Sequence, residues 1–116
     1  MSVRVRRIYD PPESGDGLRV LVDRLWPRGL AKEAARIDEW PKDITPSTEL
    51  RHWFHSGEAS FEDFRGRYEA ELDSPEAAEL LDGLRESARK GPVTLLTASK
   101  TPERSHASVL AELLGR

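Results

Sequence analysis

Gly91-Pro92-Val93-Thr94-Leu95-Leu96-Thr97-Ala98-Ser99-Lys100-Thr101-Pro102 reads as the end of one helix, a strand and the start of another helix. The glycine and proline stop the helical pattern that precedes them. Val93 to Ala98 is a short apolar run without polar alternation, as in a buried strand. Thr101-Pro102 offers a capping hydroxyl and a proline pre-set for the first helical position, predicting a helix that runs to Leu114. A buried strand held between helices indicates the α/β class.

Toward the N-terminus the same hydroxyl-proline signal recurs at Ser74-Pro75 and Thr45-Pro46. Ser60 with Asp63 has capping-box spacing, the shorter Asp standing in place of Glu or Gln. Phe61, Phe64, Tyr68 and Leu72 then share one helical face, as do Ala77, Leu80, Leu81, Leu84 and Ala88, and both stripes read as core. Leu30 to Ile44 has little pattern beyond a short helix expected near Ala31 to Arg36. Val3 to Tyr9 and Leu18 to Val22 read as strands. The turn-forming run from Asp10 to Gly17 separates them, and its two prolines and two glycines exclude a helix. The direction of this connection stays open. A parallel crossover normally needs a dozen or more residues and about eight are available, whereas an antiparallel hairpin would carry Tyr9 and Asp10 away from Arg24. The expected architecture is a single three-layer α/β domain over residues 1–116, its small, mostly parallel sheet flanked by helices.

Composition bounds the function. The 116 residues suit one domain with one core. The absence of cysteine excludes disulfides, thiolate metal sites and cysteine nucleophiles. No apolar run is long enough for a leader or a membrane span, so the chain is expected to stay in the cytoplasm, away from membranes. The formal charge is −3. It is unevenly spread: residues 1–36 carry +3, residues 37–90 carry −7 and residues 91–116 carry +1. Such a balance makes nucleic acid an improbable general partner.

If the strands run parallel, the residues that follow them meet at the carboxyl edge of the sheet, where open α/β sheets place ligands. Tyr9-Asp10, Asp23-Arg24 and Ser99-Lys100 occupy those positions. Arg24, Trp26 and Arg28 share one loop, whose guanidinium forks suit phosphate or carboxylate and whose indole suits a stacked base. The same residues also admit a structural reading, with Trp26 covering the core, Arg24 paired to Asp23 and Arg28 solvated. His106 is placed in the second turn of the last helix, facing inward with Leu110 and Leu113, where it could serve in acid–base chemistry or simply tie the helix down. His52 and His55 have the spacing of paired metal ligands, but spacing supplies no third ligand, so no metal and no cofactor is expected.

Ile8-Tyr9-Asp10, Asp16 to Gly29 with its Asp-Arg-Leu-Trp-Pro-Arg-Gly core, Asp38-Glu39-Trp40 and Thr45 to Arg51 resemble the YeaO-like family of uncharacterised bacterial proteins. Phe64 with Tyr68, Glu71-Leu72, Thr94-Leu95-Leu96 and Ser105-His106-Ala107 extend the resemblance nearly from end to end. The resemblance implies weight for Tyr9, Asp10, Asp23, Arg24, Trp26, Pro27, Arg28, Arg51, His55 and His106, and none for His52. It also implies parallel strands, and a family that often has tyrosine at Thr97 and asparagine at Ser105. It carries over no reaction.

The function expected on these grounds is binding of a small phosphate-bearing or other anionic ligand, a nucleotide included. Arg24, Arg28, Arg51, His55 and Lys100 would hold the anion and Trp26 would stack. His106 would carry acid–base chemistry, oriented by Asp10 or Asp23. The alternative is a module without chemistry that holds a protein or nucleic-acid partner.

Overall fold

The computed structural model describes residues 3–115. Three strands form one parallel sheet: β1 (Val3–Arg7), β2 (Leu18–Leu21) and β3 (Val93–Thr97), in the order β1-β3-β2. Val93 pairs with Val3 on one side and with Leu18 on the other. The domain is α/β, as its sequence implies. Among the described residues no helix is long and apolar enough to cross a membrane.

The connection between β1 and β2 resolves the open question of direction. It is a parallel return made without an α-helix, using a 3₁₀ turn at Ser14–Asp16. Shortness of the strands makes this possible. Five residues of strand span about 16 Å, and the ten residues of the return can reach roughly twice that when extended. The return is fastened along its length. Ile8 N–H donates to the Thr97 carbonyl (2.9 Å), Arg6 Nη1 to the Pro11 carbonyl (3.1 Å), and Leu18 N–H to the Pro92 carbonyl (3.0 Å).

The buried carboxylate of Asp16 is the main fastening. It accepts from Arg4 and Arg6 of β1, from Arg19 of β2 and from Glu13 N–H, while its own carbonyl accepts from Thr94 Oγ1 of β3 (2.7 Å). Burial alone would raise its pKa, but the Glu13 N–H and the Arg19, Arg6 and Arg4 guanidiniums outweigh burial and hold the carboxyl below its ordinary value. One acid thus ties all three strands together on one face of the sheet.

The other face carries the larger core. Val20, Val22, Val93 and Leu95 pack there against helices α2 (Thr48–His55), α3 (Phe61–Glu71), α4 (Pro75–Lys90) and α5 (His106–Leu114). Both helical stripes lie in it: Phe64, Tyr68, Leu72, Ala77, Leu81, Leu84 and Ala88 are buried, with Phe61 and Leu80 partly so. On the Asp16 face a smaller cluster of Ile8, Leu21, Ala35 and Leu96 is covered by the return and by residues 30–40, which include the one-turn helix α1 (Lys32–Ala35). Helices therefore flank one face of the sheet, and mostly irregular chain forms the third layer. Glu39 makes a parallel bridge to Val20 on the outer edge of β2.

Two helix starts differ from expectation. Thr45-Pro46 precedes the true cap, Ser47, whose Oγ accepts from Leu50 N–H at 3.1 Å. Thr101-Pro102 opens a 3₁₀ turn (Pro102–Arg104), and the helix begins only after Ser105, whose extended backbone breaks the run and whose Oγ caps Ala107 N–H at 3.2 Å. His106 consequently lies at the first position of α5 rather than in its second turn. Ser60 and Ser74 do cap α3 and α4 through Asp63 N–H and Ala77 N–H.

Candidate functional site

Parallel strands bring the three carboxyl ends to one edge, and Asp23 stands at its centre. Val22 N–H donates to the Leu96 carbonyl (3.0 Å), which continues the ladder past β2 and delivers Asp23 opposite the end of β3. There Asp23 Oδ2 accepts from Ala98 N–H (2.8 Å), and Oδ1 accepts from Thr97 Oγ1 (2.8 Å) and meets His106 Nε2 at 2.9 Å. Trp40 Nε1 donates to the Asp23 carbonyl at 2.6 Å and fixes its backbone. Burial pushes the carboxyl pKa up. His106, Ala98 N–H and Thr97 more than offset that, so Asp23 stays ionised below the ordinary carboxylate range. The ion pair between Asp23 and Arg24 that the structural reading of the loop would require is not formed, and the acid meets the histidine instead.

His106 is half-buried, with its ring edge-on to Tyr68 (centroids 6.3 Å apart, 81° between planes). A carboxylate on Nε2 favours the tautomer that carries its proton there, leaving Nδ1 as the second nitrogen. Such a pair can orient an imidazole for proton transfer or for donation to an anion.

Around this pair lies a cleft of about 680 Å³. Of the residues singled out from the sequence, Asp23, Arg24, Trp26, Arg28, Arg51, His55, Lys100 and His106 line it. Asp10 does not; it is exposed in the turn after β1, its N–H donating to the Arg7 carbonyl (3.1 Å), and of the two acids it is Asp23 that meets His106. His52 is exposed on α2 and is not among the lining residues.

The arginines differ in what they already hold. Arg24 donates from Nε to the Pro46 carbonyl (3.0 Å) and from Nη2 to the Thr45 carbonyl (3.1 Å), tying the β2 loop to the approach to α2. Arg28 is exposed, and Arg51 is half-buried on α2. Trp26 is committed elsewhere: its Nε1 donates to the Leu30 carbonyl (2.8 Å), and its ring meets Trp40 edge-on at 5.5 Å, within the smaller core.

Reading the residues one by one missed Arg104, Phe54 and Leu25, which also line the cleft, and left Tyr9 outside the proposed site. Arg104 was hidden by the assumption of a continuous helix from Thr101. Since Pro102–Arg104 is a 3₁₀ turn, it projects from a different surface, with its guanidinium 5.3 Å from the Phe61 ring centre. With it the lining holds Arg24, Arg28, Arg51, Lys100 and Arg104, against Asp23 as the sole carboxylate. Among the described residues none of these five cations is in an ion pair.

Comparison with known proteins places the chain. A family model described as "Inactive DUF488-N3 subclade" matches residues 2–116. The chain is 47% identical over 116 residues to "Uncharacterized protein YeaO" of Escherichia coli, covering 98% of this chain and 97% of that one. It is also 47% identical over 113 residues to an uncharacterized protein of Mycobacterium tuberculosis, covering 97% of this chain and 92% of its relative, and the counterpart in Mycobacterium bovis matches equally. No solved structure matches the chain. The chain therefore belongs to the YeaO-like family, within the DUF488-N3 subclade described as inactive.

Proposed function

We propose that the cleft binds a small phosphate-bearing or other anionic ligand, of up to nucleotide size. The observation that carries this reading is the gathering of five cations without ion-pair partners around one carboxylate already engaged by His106. Among the described residues outside the cleft, Arg4, Arg6, Arg19, Arg65, Arg85 and Arg89 meet carboxylates while Arg7, Arg36 and Arg67 do not, so it is the gathering of five such cations in one cleft that sets them apart. A volume of about 680 Å³ suits a small molecule. Arg28, Arg51, Lys100 and Arg104 supply charge, Arg24 adds a partly engaged fork, and His55 borders them.

Arg51→Ala is the clean test, because no side-chain hydrogen bond of Arg51 holds the fold among the described residues. Titration with inorganic phosphate and sugar phosphates should show binding that weakens about ten-fold in the variant, as for loss of one charged hydrogen bond, with an unchanged melting temperature. Absence of any response to these anions sinks the reading.

Turnover of the ligand is the second reading, carried by the Asp23–His106 pair, with His106 as acid or base. The family's description as inactive supports binding without turnover. Phosphorus NMR of a bound phosphate ester decides between them: recovery of the ester unchanged favours binding, and conversion that disappears in Asp23→Asn favours chemistry.

A further inference from the structure

Tyr9 and Leu25 are the large apolar side chains that the described chain leaves exposed, at 42% and 64%, and both line the cationic cleft. Single exposed apolar side chains are ordinary. Two that converge on a site walled by arginines are a chemical pattern, because a bare phosphate has no use for them. The Tyr9 ring is held from two directions. Its hydroxyl donates to the Arg28 carbonyl (3.0 Å), and the Arg7 guanidinium lies 5.4 Å from its centre. Arg7 is itself anchored on the carbonyls of Ser99 (3.0 Å) and Ala98 (3.3 Å). With a cation on one face, the other face of the ring is the one left for a planar group. Leu25 sits between Arg24 and Trp26, so charged and apolar contacts come from the same loop. Trp26 does not supply this platform, since its indole N–H and ring are engaged by Leu30 and Trp40.

We infer that the ligand is a free nucleoside phosphate, with its phosphate among the arginines and its base against Tyr9 and Leu25. This rests on the anion-binding reading and adds the base. A nucleoside 5′-phosphate could also be the end of a nucleic-acid strand. The formal charge of −3 over the chain, with −7 over residues 37–90, disfavours attraction of an extended polyanion and favours the free nucleotide.

The test is calorimetric titration of the full chain with a purine mononucleotide, ribose 5-phosphate and a 5′-phosphorylated oligonucleotide. The mononucleotide should bind about ten-fold tighter than ribose 5-phosphate, the gain expected of one stacked base. In Tyr9→Ala and in Leu25→Ser that gain should shrink to about two-fold, while ribose 5-phosphate binds as before in Leu25→Ser. Leu25→Ser keeps the test clear of folding, because the side chain is exposed. Equal binding of mononucleotide and ribose 5-phosphate, or a preference that survives in both variants, overturns the base platform and leaves the anion cleft standing. Binding of neither overturns both. Tighter binding of the oligonucleotide than of the mononucleotide, with a steep salt dependence, overturns the assignment to a free ligand.

Discussion

Asp16 and Asp23 are both held below the ordinary carboxylate pKa, and both therefore link stability to pH in the same sense. A depressed folded-state pKa means that the unfolded chain takes up the proton first as pH falls. The stabilisation is complete above the ordinary carboxylate pKa of about 4 and is lost as pH drops through the lower folded values. Urea midpoints measured from pH 7 to pH 3 should stay level to about pH 5 and then decline, and Asp16→Asn should flatten part of that decline. A midpoint that is constant down to pH 3 contradicts both assignments. Gly17 bears a different constraint. Its φ is +63°, and a Cβ there would lie 2.1 Å from the Pro92 carbonyl oxygen, the acceptor of the first bond between β2 and β3. Gly17→Ala should cost about 3 kcal/mol by thermal melting, from left-handed strain together with forced displacement of backbone. A loss under about 1 kcal/mol would mean that the two segments can part freely.

At the level of elements, α5 shows how a local cap governs a distant pair. Ser105 Oγ accepts from Ala107 N–H and donates to the Pro102 carbonyl (2.7 Å), so it sets where the helix begins and hence where His106 stands relative to Asp23. Ser105→Ala should lower stability by about 1 kcal/mol and weaken any phosphate binding, whereas Ser105→Asn, an equally good cap, should retain most of both. Equal losses in the two variants would show that capping is not what matters there. This cap was visible only as a serine, because Thr101-Pro102 carries the stronger statistical signal and nothing local says that the backbone becomes extended at Ser105. Ser74-Pro75 was legible because its proline does enter the helix at the first position. The strands were legible from their apolar density, and the parallel clustering of their ends follows from topology that the return from β1 left open. Arg24's bonds to the Thr45 and Pro46 carbonyls, and the turning of Trp26 toward Trp40, depend on residues 30–46, where no periodicity guides the eye. Arg24 and Trp26 could therefore be assigned to the carboxyl edge of the sheet from their sequence, but not the partners they hold there.

Across the whole molecule, the two outer strands are not paired with each other, and both depend on β3 between them. Val3 must find Val93, roughly 90 residues later, and Leu18 must find it across roughly 75, before either outer strand is paired. Contacts so remote in sequence are costly to close, and they form late. A chain ending at Gly91 should show no cooperative melting and no amides protected from exchange in Val3–Arg7 or Leu18–Leu21; a stable sheet in that fragment would contradict the topology. The Asp16 clamp cannot substitute, since it draws on Thr94 as well as on the arginines of the outer strands. During synthesis the first two strands must accordingly wait, unpaired, until Val93–Thr97 has left the ribosome. Their arginines at positions 4, 6, 7 and 19 then have a second use, as gatekeepers that keep the nascent apolar segments from associating with each other or with neighbouring chains during that interval.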